Sequence, residues 1–459
     1  LSLSFPIIPR KLEGFYRKRV RRVNFTEQKT SRFFAEALGK GELAWRSTSE
    51  VGKFLFFMPS WTIIIMIISP GNYTQLSRTE YLVHYKIKFK YFHLMKLSFG
   101  ILASIVIAII CTCIFLFMMA LKPKSPVKIE EGPYLFLEND RYNAISFKIK
   151  NGELVIDTVA INPNDKIRVN VPNSDQSFQV SLDPNSPSLS ARQKQPEKIL
   201  VLSDIEGNFE YLEEVLKGNN VIDENYKWGF GNGHLVILGD VFDRGKHVTE
   251  CLWLIYKLDL EARTAGGQVH FILGNHEIMN LTGDYRYVPS KYLQMAQKLG
   301  LDYKDLFGVK TELGRWLRSK NTVEVLGQTL FAHGGLSPVA AESNLSLDTI
   351  NLIVRKYIDT VPYNKQDKNV NLIIGSNGPL WYRGYATQKA SEEELSRTLD
   401  QYNVDNMVIG HTLSDDVKTI YDKKVYLIDA KRHNKNHVAL LIQNKNFYKV
   451  NANASKTKL

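Results

Sequence analysis

The chain reads as an α/β protein, and three observations lead there. Short apolar runs end abruptly at Gly or a small polar residue, as buried strands of a covered sheet do. Between two of them, His234-Leu235-Val236-Ile237-Leu238 and Val269-His270-Phe271-Ile272-Leu273, the residues Leu252, Leu254, Ile255 and Leu258 recur at helical spacing. Val248 to Ala265 is therefore expected as the helix of a strand-helix-strand unit. Polar clusters follow these two strands at once: GDVFDRG (Gly239 to Gly245) after the first and GNHE (Gly274 to Glu277) after the second. Open α/β sheets place their ligands at the carboxyl ends of strands.

With 459 residues the chain has room for two domains, or for one large domain with additions. The formal charge of +12 suggests nucleic acid or membrane until it is divided along the chain. Residues 1–124 hold 19 Lys+Arg against 6 Asp+Glu, and the remainder holds 40 against 41. The basicity is confined to the N-terminal region, so no polyanionic partner and no nucleic acid is expected for the rest. The three cysteines, Cys111, Cys113 and Cys251, form neither a disulfide framework nor a CxxC metal site.

Residues 1–94 are basic and aromatic without clear periodicity, and their apolar run Phe54 to Ser69 is interrupted by Pro59. They are expected to be unstructured or missing from the mature protein. Leu97 to Leu121 carries no charge over roughly 25 residues, enough to span a bilayer as a helix. The excess of positive residues before it predicts a cytoplasmic N-terminus and an extracytoplasmic remainder. Translation from Met95 would leave only Lys96 and the amino terminus to set that orientation. Alternating strands separated by Asn-Gly, Asn-Pro-Asn and Pro-Asn turns predict a small β-domain or stalk over 127–183. A linker over 184–196 and a catalytic domain over 197–450 complete the division.

Within the catalytic domain a single pattern recurs five times: an apolar strand, then residues that bind metals or protons. Ile199 to Leu202 leads to Ser203-Asp204-Ile205-Glu206-Gly207-Asn208; the two clusters above come next. Thr329 to Ala332 leads to His333-Gly334-Gly335, and Met407 to Ile409 leads to Gly410-His411-Thr412. In order and content these clusters resemble the calcineurin-like metallophosphoesterase superfamily. GDVFDRG with GNHE is similar to its phosphoprotein-phosphatase branch, including the bacterial Shewanella-like enzymes. The resemblance covers about 197–435 and implies a β-sandwich flanked by helices, four layers deep (α/β/β/α), with metals at the strand ends.

Carried over, the resemblance implies two divalent ions. Asp204 and Glu206 would hold the first, Asp240 would bridge both, and Asn275, His333 and His411 would hold the second. Such mixed oxygen and imidazole donors suit Mn, Fe or Zn better than Ca. A bridging hydroxide would be the nucleophile. His276 would protonate the leaving group with Asp243 orienting it, and Arg244 and Arg383 would grip the phosphate oxygens. In one respect the chain departs from the family pattern Asp-x-His: its first cluster reads Asp204-Ile205-Glu206. An oxygen ligand there would favour Mn or Mg over Zn, with Mn the leading expectation. Alternatively, Glu206 weakens the first metal.

Glu277 is expected to be structural, and His234, His247, His270, His433 and His437 have no motif support. The segment 285–321 predicts two inserted helices able to cap the site, with Arg286 and Tyr287 as substrate contacts and Trp316 packing. The expected function is a two-metal phosphomonoesterase acting on phosphorylated proteins or small phosphate esters. A phosphodiesterase or nucleotide pyrophosphatase is the alternative enzyme. A catalytically reduced surface binding protein is the alternative of another class.

Overall fold

The computed structural model describes residues 131–150, 153–184, 187–360, 366–430 and 437–459, together with Thr112 and the backbone of 53–57, 63–67 and 130. The chain divides into two compact units, Leu1–Leu121 and Lys122–Leu459. In the first, β1 (Lys53–Phe57) and β2 (Ile63–Ile67) pair antiparallel, with Phe57 opposite Ile63. This strand pair lies within region 1–94. Apart from Thr112, the uncharged run Leu97 to Leu121 lies outside the described residues. Among the described residues no helix is long and apolar enough to cross a membrane.

The second unit begins with the β-rich region. A three-stranded meander, β3 (Glu130–Glu138), β4 (Arg141–Lys150) and β5 (Glu153–Ile161), is followed by a hairpin of β6 (Lys166–Asn170) and β7 (Ser177–Ser181). Alternation sets the buried face: Ile167 and Val169 of β6 and Phe178 and Val180 of β7 point inward, their neighbours outward. That face is not the core of a separate stalk. Tyr134, Phe147 and Phe178 belong to the same buried cluster as Leu212, Trp253 and Leu317 of the catalytic domain. Trp253 Nε1 donates to the Pro133 carbonyl at 2.9 Å, and the Tyr142 hydroxyl donates to Glu312 at 2.6 Å. The expected linker is also partly built in: Ala191 is buried, and β8 (Arg192–Gln193) runs parallel to a strand of the second large sheet.

Two six-stranded sheets follow. One runs in the order β11 (Gln268–Phe271), β10 (His234–Ile237), β9 (Lys198–Leu202), β17 (Val438–Gln443), β18 (Asn446–Asn451), β19 (Lys456–Lys458). The other runs β15 (Lys418–Ile420), β16 (Val425–Leu427), β14 (Asn406–Ile409), β13 (Thr329–Ala332), β12 (Val323–Leu326), β8. The five strands expected to lead into polar clusters are all present. Period-two alternation divides their side chains between two cores. Ile199, Val201, Val236, Phe331, Val408 and Leu440 form a cluster drawn from both sheets, whereas Leu200, Leu202, Leu235, Ile237, Leu330 and Met407 join the helices.

The helices that matter to the site are α1 (Phe209–Gly218), α2 (Val248–Thr264), α3 (Asn275–Thr282), α4 (Ser290–Lys298) and α5 (Glu312–Arg318). In α2, seven of the eight residues from Cys251 to Leu258 are apolar and buried; Lys257 is the exception, buried but charged. A helix buried on every side has no polar stripe; here the β-rich region covers the flank that would otherwise face water. Segment 285–321 contains α4 and α5, with a 3₁₀ turn at Tyr303–Phe307 between them.

Candidate active site

Strands β9, β10 and β11 run parallel in register, with Leu202 opposite Ile237 and Ile237 opposite Phe271. Their following loops therefore emerge side by side. In the second sheet β13 and β14 are likewise parallel, Phe331 opposite Val408, which brings His333 and His411 out together. The first two loops interlock through the backbone: Glu206 N–H donates to the Asp240 carbonyl and Gly207 N–H to that of Val241, both at 2.8 Å. Two glycines permit the close passage. A Cβ on Gly239 would stand 2.6 Å from the Gly274 backbone, and one on Gly274 would stand 2.3 Å from Asp240 Oδ1. Asp204, Glu206, Asp240, Asp243, Arg244 and His411 all have φ between 50° and 73°, in the left-handed region. Such backbone persists in non-glycine residues only where the surroundings over-determine it, a pattern concentrated at functional sites.

Asp240, His333 and His411 are buried, and one ligand atom of each lies within 4.8 Å of the others. His333 Nδ1 donates to the Leu238 carbonyl at 2.7 Å, which turns Nε2 toward Asp240 Oδ2 (3.0 Å) and Asn275 Oδ1 (3.1 Å). Burial opposes charge on His333, yet the Asp240 carboxylate raises its pKa to about 10. Burial would raise Asp240 in turn, but the His333 charge holds it at about 2. His411 is pushed down to about 2 by burial and by His333, and its Nε2 is buried without a hydrogen-bond partner. A buried carboxylate that draws positive charge, beside an unpartnered neutral imidazole, fits a divalent metal, with Asn275 adding a neutral oxygen. Asp204 lies against this group; its Oδ2 accepts the His411 N–H at 3.1 Å and the Ser203 hydroxyl at 2.5 Å.

His276 Nε2 stands 3.7 Å from Asp240 Oδ2. Its Nδ1 is hydrogen-bonded to Asp243 Oδ2, and Asn280 Nδ2 donates to Asp243 Oδ1 at 3.0 Å. Burial lowers the pKa of His276, but the Asp243 hydrogen bond and the Asp240 charge outweigh it and raise the value overall. The arrangement favours the charged ring and turns Nε2 toward the metal-type group. Glu277 points the other way. Fully buried, it accepts the backbone N–H groups of Asp240 (2.8 Å), Val241 (2.7 Å) and Gly274 (2.7 Å).

The fold of this unit has counterparts among known proteins. Residues 197–415 match the calcineurin-like phosphoesterase family. The structure is similar to that of a cold-active protein-tyrosine phosphatase from a psychrophilic Shewanella species, with a TM-score of 0.65 and 33% identity, covering 72% of this chain and 99% of that one. The chain belongs to the calcineurin-like phosphoesterases. Other relatives of this phosphoesterase are Shewanella-like protein phosphatase 2 of Arabidopsis thaliana (29% identical, 54% of this chain, 75% of the relative) and Shewanella-like protein phosphatase 1 of Plasmodium berghei (31% identical, 51% and 66%).

The two arginines of the phosphoesterase are placed differently. Arg383 donates from Nη1 to the His411 carbonyl at 2.7 Å and to Thr412 Oγ1 at 3.1 Å, so it braces the His411 loop while remaining exposed. Arg244 is half exposed and forms an ion pair with Glu206. Glu206, expected beside Asp204 at the first metal, thus has its carboxylate on a guanidinium. From the insertion, the Tyr287 ring lies 5.2 Å from that of His276 and under the Arg244 guanidinium at 5.5 Å. Arg286 pairs instead with Asp284 at the surface.

Sequence reasoning missed Asn280 and Ser203. Asn280 follows His276 by four residues on α3, a helical spacing that puts both on one face and was legible in the chain. Of the histidines set aside, half-buried His234 stacks on buried His270, which is hydrogen-bonded to Glu324, and His437 meets Glu214.

Proposed function

We propose that this phosphoesterase is a metal-dependent phosphomonoesterase that removes phosphate from phosphorylated proteins. The observation that carries the reading is the His276 imidazole, held by Asp243, facing a carboxylate that two further histidines flank. Asp240, Asn275, His333 and His411 would hold a divalent ion, which supplies Lewis acidity to a phosphate oxygen and to water when bound. Mn is the leading candidate for that ion, with Fe, Zn and Mg as the others.

The protein's own groups account for the rest of the reaction. Arg244 reaches the mouth of the site and offers a fork of N–H donors to non-bridging phosphate oxygens. Arg383, exposed beside the His411 loop, is proposed to join it. His276 gives its Nε2 proton to the departing alkoxide or phenoxide, and Asp243 keeps the ring oriented while that proton leaves. A phosphotyrosyl substrate is favoured by likeness to the Shewanella enzyme, which is described as a protein-tyrosine phosphatase. A phosphodiesterase needs room for a second ester group, and the cavity of about 790 Å³ lined by Asn173, Gln176, Glu206 and Arg244 lies beside Arg244, outside the Asp240–His333–His411 group. The uncharged run 97–121 supports the further proposal of a membrane anchor with the catalytic domain outside the cytoplasm, which protease accessibility of intact cells tests.

The enzyme is tested by assaying the purified protein, loaded with Mn, Mg or Zn, on p-nitrophenyl phosphate, phosphotyrosyl and phosphoseryl peptides, and bis-p-nitrophenyl phosphate. Turnover of the monoesters ahead of the diester supports the reading. Diester turnover ahead of monoester favours the phosphodiesterase. Folded protein with no turnover in any metal favours a binding protein.

A further inference from the structure

Glu206 stands where the resemblance expects a metal-binding histidine, and its carboxylate pairs with Arg244. The pairing is built into the backbone. The two loops are joined by the Glu206 and Gly207 N–H bonds to Asp240 and Val241, and a Cβ on Gly245 would come within 2.1 Å of the Glu206 carbonyl. Glu206 and Arg244 both sit in left-handed backbone, at φ 50° and 56°. Tyr287 backs the guanidinium at 5.5 Å. Neither Asp204 nor Glu206 is among the residues whose ligand atoms converge, which are Asp240, His333 and His411.

We propose that Glu206 is a counter-ion for Arg244 rather than a metal ligand, so that the resting protein binds one divalent ion tightly and a phosphate must displace Glu206 to reach Arg244. This rests on the phosphoesterase reading above. Glu206 is a positioning residue. Its side chain is 16% exposed and that of Arg244 51%, so the pair is accessible to water and exchangeable. A phosphate dianion brings more charge and more oxygens to the same guanidinium and displaces the single carboxylate. The removal of Glu206 therefore strengthens phosphate binding, whereas the removal of a metal ligand would weaken it.

Equilibrium dialysis against Mn with elemental analysis, in phosphate-free buffer, reads the first half. One tightly held ion per chain in wild type and in Glu206→Gln, and two in Glu206→His, is the expected result. Two tight ions in wild type falling to one in Glu206→Gln would overturn it. Calorimetric titration of the Mn-loaded proteins with inorganic phosphate reads the second half. Glu206→Gln is expected to bind phosphate at least fivefold more tightly than wild type; equal, weaker or undetectable binding overturns the proposal. Neither measurement needs turnover, so an inactive protein would sink the enzyme reading while these results still decide the role of Glu206. Thermal melts of the two variants confirm that they fold.

Discussion

Glu277 lies directly beneath Asp240: its Oε2 accepts the Asp240 N–H at 2.8 Å and the Gly274 N–H at 2.7 Å, while Oε1 takes that of Val241 at 2.7 Å. One buried carboxylate thus ties the GDVFDRG loop to the GNHE loop. The fourth residue of GNHE thereby sets the distance between the two loops. Burial and the Asp240 charge raise its pKa to about 6.

Glu277→Gln should therefore cost stability as well as activity. The amide directs two donors at backbone donors, and leaving two or more of them unsatisfied in the core costs about 3 kcal/mol. Urea unfolding of the two proteins at neutral pH measures it, and a difference below about 1 kcal/mol would contradict this role.

The general-acid assignment predicts a dependence on leaving group. His276→Asn should slow hydrolysis of an alkyl phosphate by roughly 10²–10⁴-fold. The loss should be much smaller for p-nitrophenyl phosphate, whose leaving group needs no proton. Asn280→Ala, which frees Asp243 to rotate, should show the same pattern in weaker form, about tenfold on the alkyl substrate. Equal losses on both substrates would remove the proton-donor role.

His411→Gln tests the metal group. The unpartnered Nε2 is the atom that would ligate an ion, so this variant should hold Mn at least about tenfold more weakly than wild type. Added Mn should raise the melting temperature of wild type and leave that of the variant nearly unchanged. Elemental analysis after dialysis gives the affinity.

His234 supplies a pH signature away from the site. Burial and the neighbouring His270 lower its pKa from 6.5 to about 4 in the folded protein. The unfolded chain therefore binds the proton more readily. The contribution of this group is present above pH 6.5 and is lost as the pH falls through about 4. His234→Gln should flatten that section of the stability profile, and an unchanged slope between the two proteins would show that the ring does not titrate there.

The β-rich region should prove inseparable from the catalytic domain. A fragment beginning at residue 184 uncovers Trp253 and the rest of the outer face of α2, together with the ring of buried aromatics around it. Loss of a cooperative thermal transition in that fragment, beside a cooperative one for the chain from residue 122, is the expected outcome; equally sharp transitions would restore a separate stalk.

Local pattern was enough for much of this protein. Five strand-and-cluster units, the helix between GDVFDRG and GNHE, and the residues Asp240, Asn275, His276, His333 and His411 were readable because strand ends, glycine stops and donor types are written in consecutive residues. Their convergence was an expectation from resemblance, since residues as far apart as Asp204 and His411 are brought together only by strand register. Tertiary structure alone decided three matters. It placed the carboxylate of Glu206 on Arg244, because a side chain's partner depends on which loop lies beside it. It spread the buried face of the β-rich region over α2, because an apolar face does not specify what will cover it. It also assigned Asn280 to Asp243, a contact that a four-residue spacing permits and only the packed helix selects.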